Sequence, residues 1–381
     1  MDFRLTEEQE LLRKSVAQFV AREVLPRAAA IDESGEFPAD LFRRLGALGY
    51  FGARYPPELG GTGAGHLAFN LLVEELARGS LSLAAAAAMQ SLMGTHFLAA
   101  LGTPDHKTRL LAPALAGEAI GSIAMTEPGA GSDLGAMKTV AVRDGDSWRL
   151  SGRKVWVTNA PVADFFTVAA KTDPAAGFQG IDLFLVERKT PGLSVGREIA
   201  KLGTRGCPAS ELLLEDVRVP RENLLGGPGS GHRHLGALLS EIRVMTASLA
   251  LGVGRAALDA ALAYSGERVQ FGKPIREFQA VAHRLADAAT ELEAARGLAY
   301  RAAWSLDQGK PDAKLAAMAK LFASEMANRA ADAATRVLGS YGFAMEFGAQ
   351  RHFRDARFLL YGGGTSEILR NVIARELSRE A

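Results

Sequence analysis

The sequence contains a single cysteine, Cys207, in 381 residues. One cysteine excludes a disulfide framework within the chain and removes the paired spacings that hold structural zinc. His232 and His234 have neither the helical i, i+4 spacing nor the acidic neighbours of a metal site. We therefore expect no metal centre, and we expect the chain to work in a reducing compartment such as the cytoplasm.

The chain also lacks an excess of either charge. Its 44 Lys and Arg residues and 43 Asp and Glu residues leave a formal net charge of +1, and no basic run stands out. Nucleic-acid-binding proteins usually carry a basic patch, so we do not expect a nucleic acid as partner. Any site for an anion must be local.

Long apolar runs are missing as well. The run "LSLAAAAAM" at residues 81–89 is too short and too rich in alanine to span a bilayer, and it is typical of a buried helix. The N-terminal segment is acidic and amphipathic, with Leu12, Val16 and Phe19 on one helical face, unlike a signal or transit peptide. We expect no membrane insertion.

The texture of the sequence divides the chain into three parts. Residues 1–120 show helical periodicity broken at proline- and glycine-rich loops, and residues 232–381 show longer helical periodicity. Between them, residues 121–231 contain short runs rich in Val, Leu and Phe, separated by Gly, Asp and Pro turns, which is the pattern of strands. The expected fold class is α+β, in the order α, β, α.

Four segments could carry chemistry, and each also has a plain structural interpretation. The loop "IAMTEPGAGSD", Ile123 to Asp133, can line a ring or a phosphate, but a simple turn fits it equally well. In "KVWVTNA", Trp156 and Thr158 could cover a flat ring, or Trp156 could pack in a sheet core. Arg268 in "GERVQFGKPIREFQAV" suits a helix C-terminus without any ligand. The glycines of "LLYGGGTSEILR" could form a cradle, a hinge or room for a ligand.

Taken in order, six segments resemble the acyl-CoA dehydrogenase family of FAD-dependent enzymes, which desaturate acyl thioesters between the α and β carbons. They are "MTEPGAGSD", "KVWVTNA" followed by "VAAKT", "LEDVRVPRENLLG", "RVQFGKPIREFQAV", "FRDAR" and "GGTSEILR", and the likeness spans nearly the whole chain. The resemblance implies a helical N-terminal domain, a middle β-barrel-like domain and a C-terminal four-helix bundle. It also implies a homotetramer, an acyl-CoA substrate and electron-transferring flavoprotein as the electron acceptor.

The resemblance assigns roles to individual positions. It places flavin contacts in the middle domain, contacts to the FAD of a neighbouring subunit after the first long C-terminal helix, and substrate contacts near the thioester. The implied FAD-binding residues are Met125, Thr126, Ser132, Trp156, Thr158, Arg268, Phe271, Gln279, Arg336, Gly339, Thr365 and Glu367. The implied substrate-binding residues are Ser132, Arg243 and Gly364. Arg336 stands where many members carry Gln.

One part of the family pattern is absent. Family members use a carboxylate to remove the α-proton while hydride leaves the β-carbon. Alignment on "FRDAR" and "GTSEILR" puts Gly363 at the usual position of that Glu, and a second family position, just before Arg243, holds Ile242. Glu241 is the nearest carboxylate, about a quarter turn away on a helix.

Three interpretations of the missing acid stay open from the sequence. Glu241 could act as the base despite its offset, or the protein could perform other flavin chemistry such as hydroxylation or β-elimination. Alternatively, the chain could be a silent subunit of a mixed tetramer. We expect FAD-dependent acyl-CoA dehydrogenation with Glu241 as the base.

Overall fold

The computed structural model describes residues 4–380. The N-terminal part is helical. Its first helix begins after Thr6, whose hydroxyl accepts a hydrogen bond from the Gln9 N–H at 3.2 Å while the Gln9 side chain accepts one from the Thr6 N–H at 3.0 Å. The helices are α1 (Glu7–Phe19), α2 (Ala28–Ser34), α3 (Ala39–Ala47), α4 (Gly65–Gly79), α5 (Leu81–Ala88), α6 (His96–Leu101), α7 (Pro104–His106) and α8 (Ala112–Leu115).

Strands occupy the middle of the chain. They are β1 (Gly121–Ala124), β2 (Val140–Asp144), β3 (Ser147–Thr158), β4 (Phe165–Lys171), β5 (Ile181–Glu187), β6 (Leu193–Glu198), β7 (Ala209–Pro220) and β8 (Leu224–Leu225). Seven of them lie in the order β6-β7-β3-β2-β4-β5-β8, and β1 pairs with β4 in parallel. Phe166 and Phe184 are fully buried in a core that belongs to this sheet.

The C-terminal part is helical again. Its elements are α9 (Gly231–Glu267), the hairpin β9 (Val269–Gln270) and β10 (Lys273–Pro274), and then α10 (Gln279–Asp307), α11 (Ala313–Leu338), α12 (Ser340–Phe343), α13 (Gly348–Phe358) and α14 (Ser366–Glu380). Helix α11 packs against α9, α10, α13 and α14. This arrangement of two helical parts around a sheet-containing part is the one that the family resemblance implies.

Helix α9 connects the three parts of the protein. It packs along α4 of the N-terminal part, where the Ser248 hydroxyl donates to the Asn70 side chain at 2.7 Å in the core. At its start, the N–H groups of Gly229 and Gly231 each donate to the carboxylate of Asp182 on β5, both at 2.9 Å. The start of α9 is therefore bonded directly to the sheet.

Two helical stretches are long and apolar enough to cross a membrane by length and composition alone. They are Leu81–Leu101 and Gly231–Glu267, and 83% and 78% of their most apolar windows are buried inside the protein. Residues Leu81 to Ala88 are all buried, as expected for the alanine-rich run. Their apolar side chains are accounted for by packing within the fold.

Candidate active site

The first wall of the site is formed by the loop after β1 and by the end of β3. The pairing of β3 with β7 shifts register between Lys154 and Val157, and Trp156 between them has a positive φ of 59°. This irregularity turns the indole outward, so that 56% of Trp156 is exposed. The adjacent Val155 N–H donates to the Thr126 carbonyl at 2.9 Å, which joins the loop to the strand. An exposed indole beside a polar loop suits a flat, polar ring such as a flavin.

A buried ion pair between Lys154 and Glu127 stabilises the backbone beside Trp156, and the sequence did not indicate this pair. Lys154 is fully buried, and its Nζ donates to Glu127 at 2.8 Å and to the Met125 carbonyl at 3.2 Å. Glu127 also accepts from the N–H groups of Lys138 and Thr139, at 2.7 and 2.9 Å. Burial lowers the pKa of Lys154 to about 8, while the hydrogen bond that Lys154 donates to Glu127 and the charge of Glu127 oppose that shift. The pair positions the Met125 and Thr126 backbone.

The other FAD positions implied by the sequence fall into separate places. Ser132 is exposed in the loop, and Thr158 is half-buried at the end of β3. Arg268 follows the last residue of α9, Phe271 is 94% exposed with a φ of 51°, and Gln279 begins α10. Arg268 lies 25 residues beyond Arg243 along one helix, or about 37 Å at 1.5 Å per residue. These two arginines therefore cannot belong to one small site within a single chain.

Two further FAD positions lie at the end of α11. Arg336 is exposed and donates through Nε to Asp332 at 2.6 Å, and Gly339 has a positive φ of 63° just after the helix. Rings of Tyr264 on α9 and Tyr341 on α12 lie 6.1 Å apart. The C-terminal ends of α9 and α11 are therefore neighbours, and they form one surface with Arg268.

The triple-glycine loop faces α9. A Cβ built on Gly363 would lie 3.1 Å from Thr246 Oγ1 and 3.4 Å from a methyl of Ile242, in a backbone conformation with φ of 73°. Gly364 also has a positive φ, of 107°. Glycine is required here because both backbone conformations disfavour a side chain. Thr365 begins the next helix, and its hydroxyl accepts from the Ile368 N–H at 3.3 Å.

Lys320 on α11 also holds this loop. Its fully buried ammonium donates to the carbonyls of Gly364 at 2.7 Å and Leu360 at 3.3 Å. Burial lowers the pKa of Lys320 to about 8; the charge of Glu325 opposes this shift, and the charge of Arg243 adds to it. Sequence reasoning did not identify Lys320, because a lysine in a helical pattern indicates an exposed face.

Arg243 follows Ile242 on α9, and its charge is close enough to act on Lys320. Arg243 is only 8% exposed, and its Nε is buried without a hydrogen-bond partner in residues 4–380. Burial lowers the pKa of Arg243, and the charge of Arg375 lowers it further. Two buried cations thus lie close to each other, and the loop around Gly363 contains no carboxylate at the position where the family usually carries one.

Glu241 points away from this loop toward the N-terminal part of the protein. Its carboxylate is paired with Arg54, which is almost fully buried, and lies 3.7 Å from His66 Nδ1. Arg54 also donates to the Tyr55 hydroxyl at 3.3 Å, and its Nη1 lies 3.4 Å from His96 Nδ1. Burial, followed by the charge of Arg54, lowers the pKa of His96 to about 3. Local sequence patterns do not indicate this cluster, because its members come from distant segments.

Comparison with known proteins covers nearly all of the chain. The family models described as the N-terminal, middle and C-terminal domains of acyl-CoA dehydrogenase match residues 6–118, 122–217 and 229–378. Benzylmalonyl-CoA dehydrogenase of Aromatoleum aromaticum is 53% identical, over 99% of this chain and all of that protein. The caffeyl-CoA reductase-Etf complex subunit CarC of Acetobacterium woodii is 39% identical, over 98% of this chain and 99% of that protein.

A solved structure agrees with these matches. Butyryl-CoA dehydrogenase from Megasphaera elsdenii superimposes with a TM-score of 0.97 at 36% identity, and the match covers the whole of both chains. The expected fold and the expected family are confirmed. The chain belongs to the acyl-CoA dehydrogenase family, and it is an oxidoreductase of the FAD-dependent acyl-CoA dehydrogenase type.

Proposed function

We propose that this enzyme holds FAD against the exposed Trp156 and the Met125–Thr126 loop and introduces an α,β double bond into a CoA thioester. The observation that carries the proposal is the outward-turned indole beside a loop braced by a buried Lys154–Glu127 pair. When bound, FAD supplies the acceptor for the β-hydride. Electrons then pass to electron-transferring flavoprotein, in keeping with the Etf complex named for one relative.

The residues divide the work between binding and positioning. We assign Met125, Thr126, Trp156 and Thr158 to the flavin ring, with Ser132 between the ring and the thioester. Arg243 and Gly364 belong to the substrate side, and Thr365 and Glu367 follow in the same segment. The surface at the C-terminal ends of α9 and α11 belongs to the FAD of a neighbouring subunit, because its distance from Arg243 exceeds the span of one site. Its members are Arg268, Phe271, Gln279, Arg336 and Gly339. A cytoplasmic homotetramer accommodates this division.

Glu241 is adjacent to Ile242, the second position at which the family carries its base, and we propose it as the acceptor of the α-proton for an unsubstituted acyl-CoA. To act, Glu241 must leave Arg54 and turn toward Gly363. The change Glu241→Gln should therefore abolish bleaching of the flavin by an acyl-CoA that carries no α-carboxylate, with the flavin still bound. The exposed Glu293→Gln variant is the matched control. If E241Q bleaches at the wild-type rate, Glu241 is not the acceptor.

Anaerobic titration with a panel of acyl-CoAs tests the function itself. Loss of the oxidised-flavin absorbance on adding a thioester supports dehydrogenation. In an enzyme that performs β-elimination or oxygen-dependent hydroxylation, the flavin would keep its oxidised absorbance when a thioester is added without oxygen. A silent subunit would stay oxidised with every thioester and gain activity only when mixed with a partner chain. A purified protein that takes up no FAD would refute the proposal.

For the substrate, we propose an acyl group that carries an aromatic ring on its β-carbon. Benzylmalonyl-CoA and caffeyl-CoA, the compounds in the names of the two relatives, share this feature. The absence of side chains at Gly362, Gly363 and Gly364 leaves more room near the thioester than the usual Glu would. Benzylmalonyl-CoA also carries a second carboxylate on its α-carbon. Comparison of 3-phenylpropanoyl-CoA with butyryl-CoA in the titration would test the ring preference.

A further inference from the structure

The position left vacant at Gly363 has a defined boundary. The direction in which a side chain would project from Gly363 leads to Thr246 Oγ1 and to the Ile242 methyl, both on α9. The Thr246 hydroxyl donates to the Ile242 carbonyl at 2.8 Å, so its oxygen is left to accept rather than donate. The boundary on the α9 side is therefore formed by one hydroxyl oxygen and one methyl group.

Near this position, Arg243 has no carboxylate partner among the described residues. Arg243 is more than nine-tenths buried with its Nε unpartnered in the described residues, and Lys320 is fully buried and bonds only to carbonyl oxygens. The charge of Arg243 is close enough to Lys320 to affect it. Glu325 accepts from the Ser366 hydroxyl at 2.7 Å, and the Glu367 side chain is 79% exposed. Neither carboxylate is paired with Arg243.

A buried guanidinium with an unsatisfied N–H is costly, and the cost falls when an anion pairs with it. Arginine is also the side chain best suited to a planar carboxylate, because its donors form a rigid fork. The protein supplies no such carboxylate at this loop. A ligand that brings its own carboxylate to the α-carbon would balance the charge.

We propose that the vacant position beside Gly363 is a subsite for a carboxylate on the α-carbon of the substrate, with Arg243 as its partner. The substrate class is then a 2-carboxyacyl thioester. This inference rests on the proposed function, since it concerns the same thioester site. The space that a Glu side chain would fill becomes the space for the substrate's own carboxyl group.

For a 2-carboxyacyl thioester, this subsite removes the need for a protein base. The bond between the α-carbon and the carboxylate breaks, CO₂ leaves, and the bonding electron pair stays on the α-carbon as an enolate. That pair would form the α,β double bond as the β-hydrogen leaves as hydride, for which FAD, when bound, would supply the acceptor. The products are CO₂, the 2,3-enoyl thioester and two electrons on the acceptor. The α-hydrogen is retained, whereas removal by a base would lose it.

The decisive experiment compares two substrates under anaerobic conditions. Benzylmalonyl-CoA and 3-phenylpropanoyl-CoA, each deuterated at the α-carbon, are mixed with the holoenzyme, and flavin absorbance, CO₂ and product mass are followed. We expect benzylmalonyl-CoA alone to bleach the flavin rapidly, with one CO₂ per reduced flavin and deuterium retained in the product. Rapid bleaching by 3-phenylpropanoyl-CoA with loss of the label, and no CO₂ from benzylmalonyl-CoA, would overturn this inference and leave dehydrogenation standing. Failure of both substrates to bleach would overturn this inference and count against the proposed function.

An equilibrium measurement tests the subsite without turnover. Malonyl-CoA and acetyl-CoA differ by the α-carboxylate, and neither has a β-hydrogen to lose. Calorimetry should show malonyl-CoA binding at least about tenfold more tightly than acetyl-CoA, as expected for a buried charge pair. Arg243→Met should reduce the ratio to near one, and Arg243→Lys should retain part of it. An unchanged ratio in R243M would refute the assignment of Arg243.

A third variant reverses the proposed specialisation. Gly363→Glu returns a carboxylate to the vacant position, at a backbone cost of about 1–2 kcal/mol for a side chain with positive φ. It should lose the preference for malonyl-CoA and reduce its flavin with 3-phenylpropanoyl-CoA faster than the wild type does. Gly363→Gln carries the same bulk and strain without the acid, so it should lose the preference and gain no activity. A G363E variant that binds malonyl-CoA as tightly as the wild type does would contradict the subsite.

Discussion

Replacing Lys154 by Met would test whether the buried pair beneath the flavin wall supports both the fold and the cofactor. The substitution removes a cation that is fully buried and leaves Glu127, which is 7% exposed, with only two backbone donors. Breaking a buried pair by removing one partner typically costs 3–5 kcal/mol. Because the stability of a protein is roughly 5–15 kcal/mol in total, this loss is large. The Met125 carbonyl also loses its donor, so the loop beside Trp156 becomes less ordered.

The assay follows two signals from the purified holoenzyme. Release of flavin on heating is read from the rise in its fluorescence, and urea unfolding is read from tryptophan fluorescence. We expect K154M to release flavin at a lower temperature and to unfold at lower urea, whereas the exposed Lys189→Met variant should behave as the wild type. The double variant K154M with Glu127→Gln should recover part of the loss, because no unpaired charge stays buried. Wild-type stability in K154M, or a double variant worse than the single, would refute this reasoning.

Three further predictions concern other residues of the structure. Asp355 is 4% exposed, and burial raises its pKa from 3.8 to about 6, so the folded state binds the extra proton and stability should fall as pH rises through this window. The Asp355→Asn variant should lack this dependence of the free energy of unfolding on pH, which amounts to up to ~3 kcal/mol. Urea unfolding of both proteins from pH 4 to 6.5 would measure it. Parallel plots of unfolding free energy against pH for the two proteins would contradict the assignment. Burial raises the pKa of the Cys207 thiol to about 12, so a thiol reagent at pH 8 should modify the protein only after unfolding, and rapid labelling of native protein would refute this. Trp156→Ala should weaken FAD binding with little change in apoprotein stability, because the indole is largely exposed, while Trp156→Phe should retain most of the affinity; equal affinity in W156A would show that the indole is not the flavin wall.

The sequence predicted the α, β, α order and the family because those signals are local. Strand runs, helical periodicity and the six motifs each lie within short segments. The alternation around Trp156 was only partly informative, since a register shift and a positive φ turn this side chain outward. A β-bulge depends on the pairing strand, and the strand's own residues do not specify it. The individual FAD and substrate assignments, and the role of Glu241, stay predictions.

The residues that the sequence did not indicate are charged groups buried by distant partners. Lys154 bonds to a residue 27 positions away, Lys320 to one 44 positions away, and Arg54 to one 187 positions away. Local patterns treat Lys and Arg as exposed, because their burial is rare without a partner. Only the fold brings these partners together, so only the structure could show that Arg243 is buried with its Nε unpartnered in the described residues.

The bonds from Asp182 to the start of α9 also bear on how substrates are distinguished. One carboxylate of the sheet holds both Gly229 and Gly231, and Arg243 lies 12 residues further along the same helix, about 18 Å away. A helix anchored at its first turn cannot slide along its axis to suit a longer or shorter acyl group. The spacing between the flavin wall and Arg243 is therefore set before any substrate arrives. Selection among thioesters must come from the side chains between the flavin wall and Arg243, and from positions such as Gly363 where a side chain is missing. A single glycine is then sufficient to change which reaction the site performs.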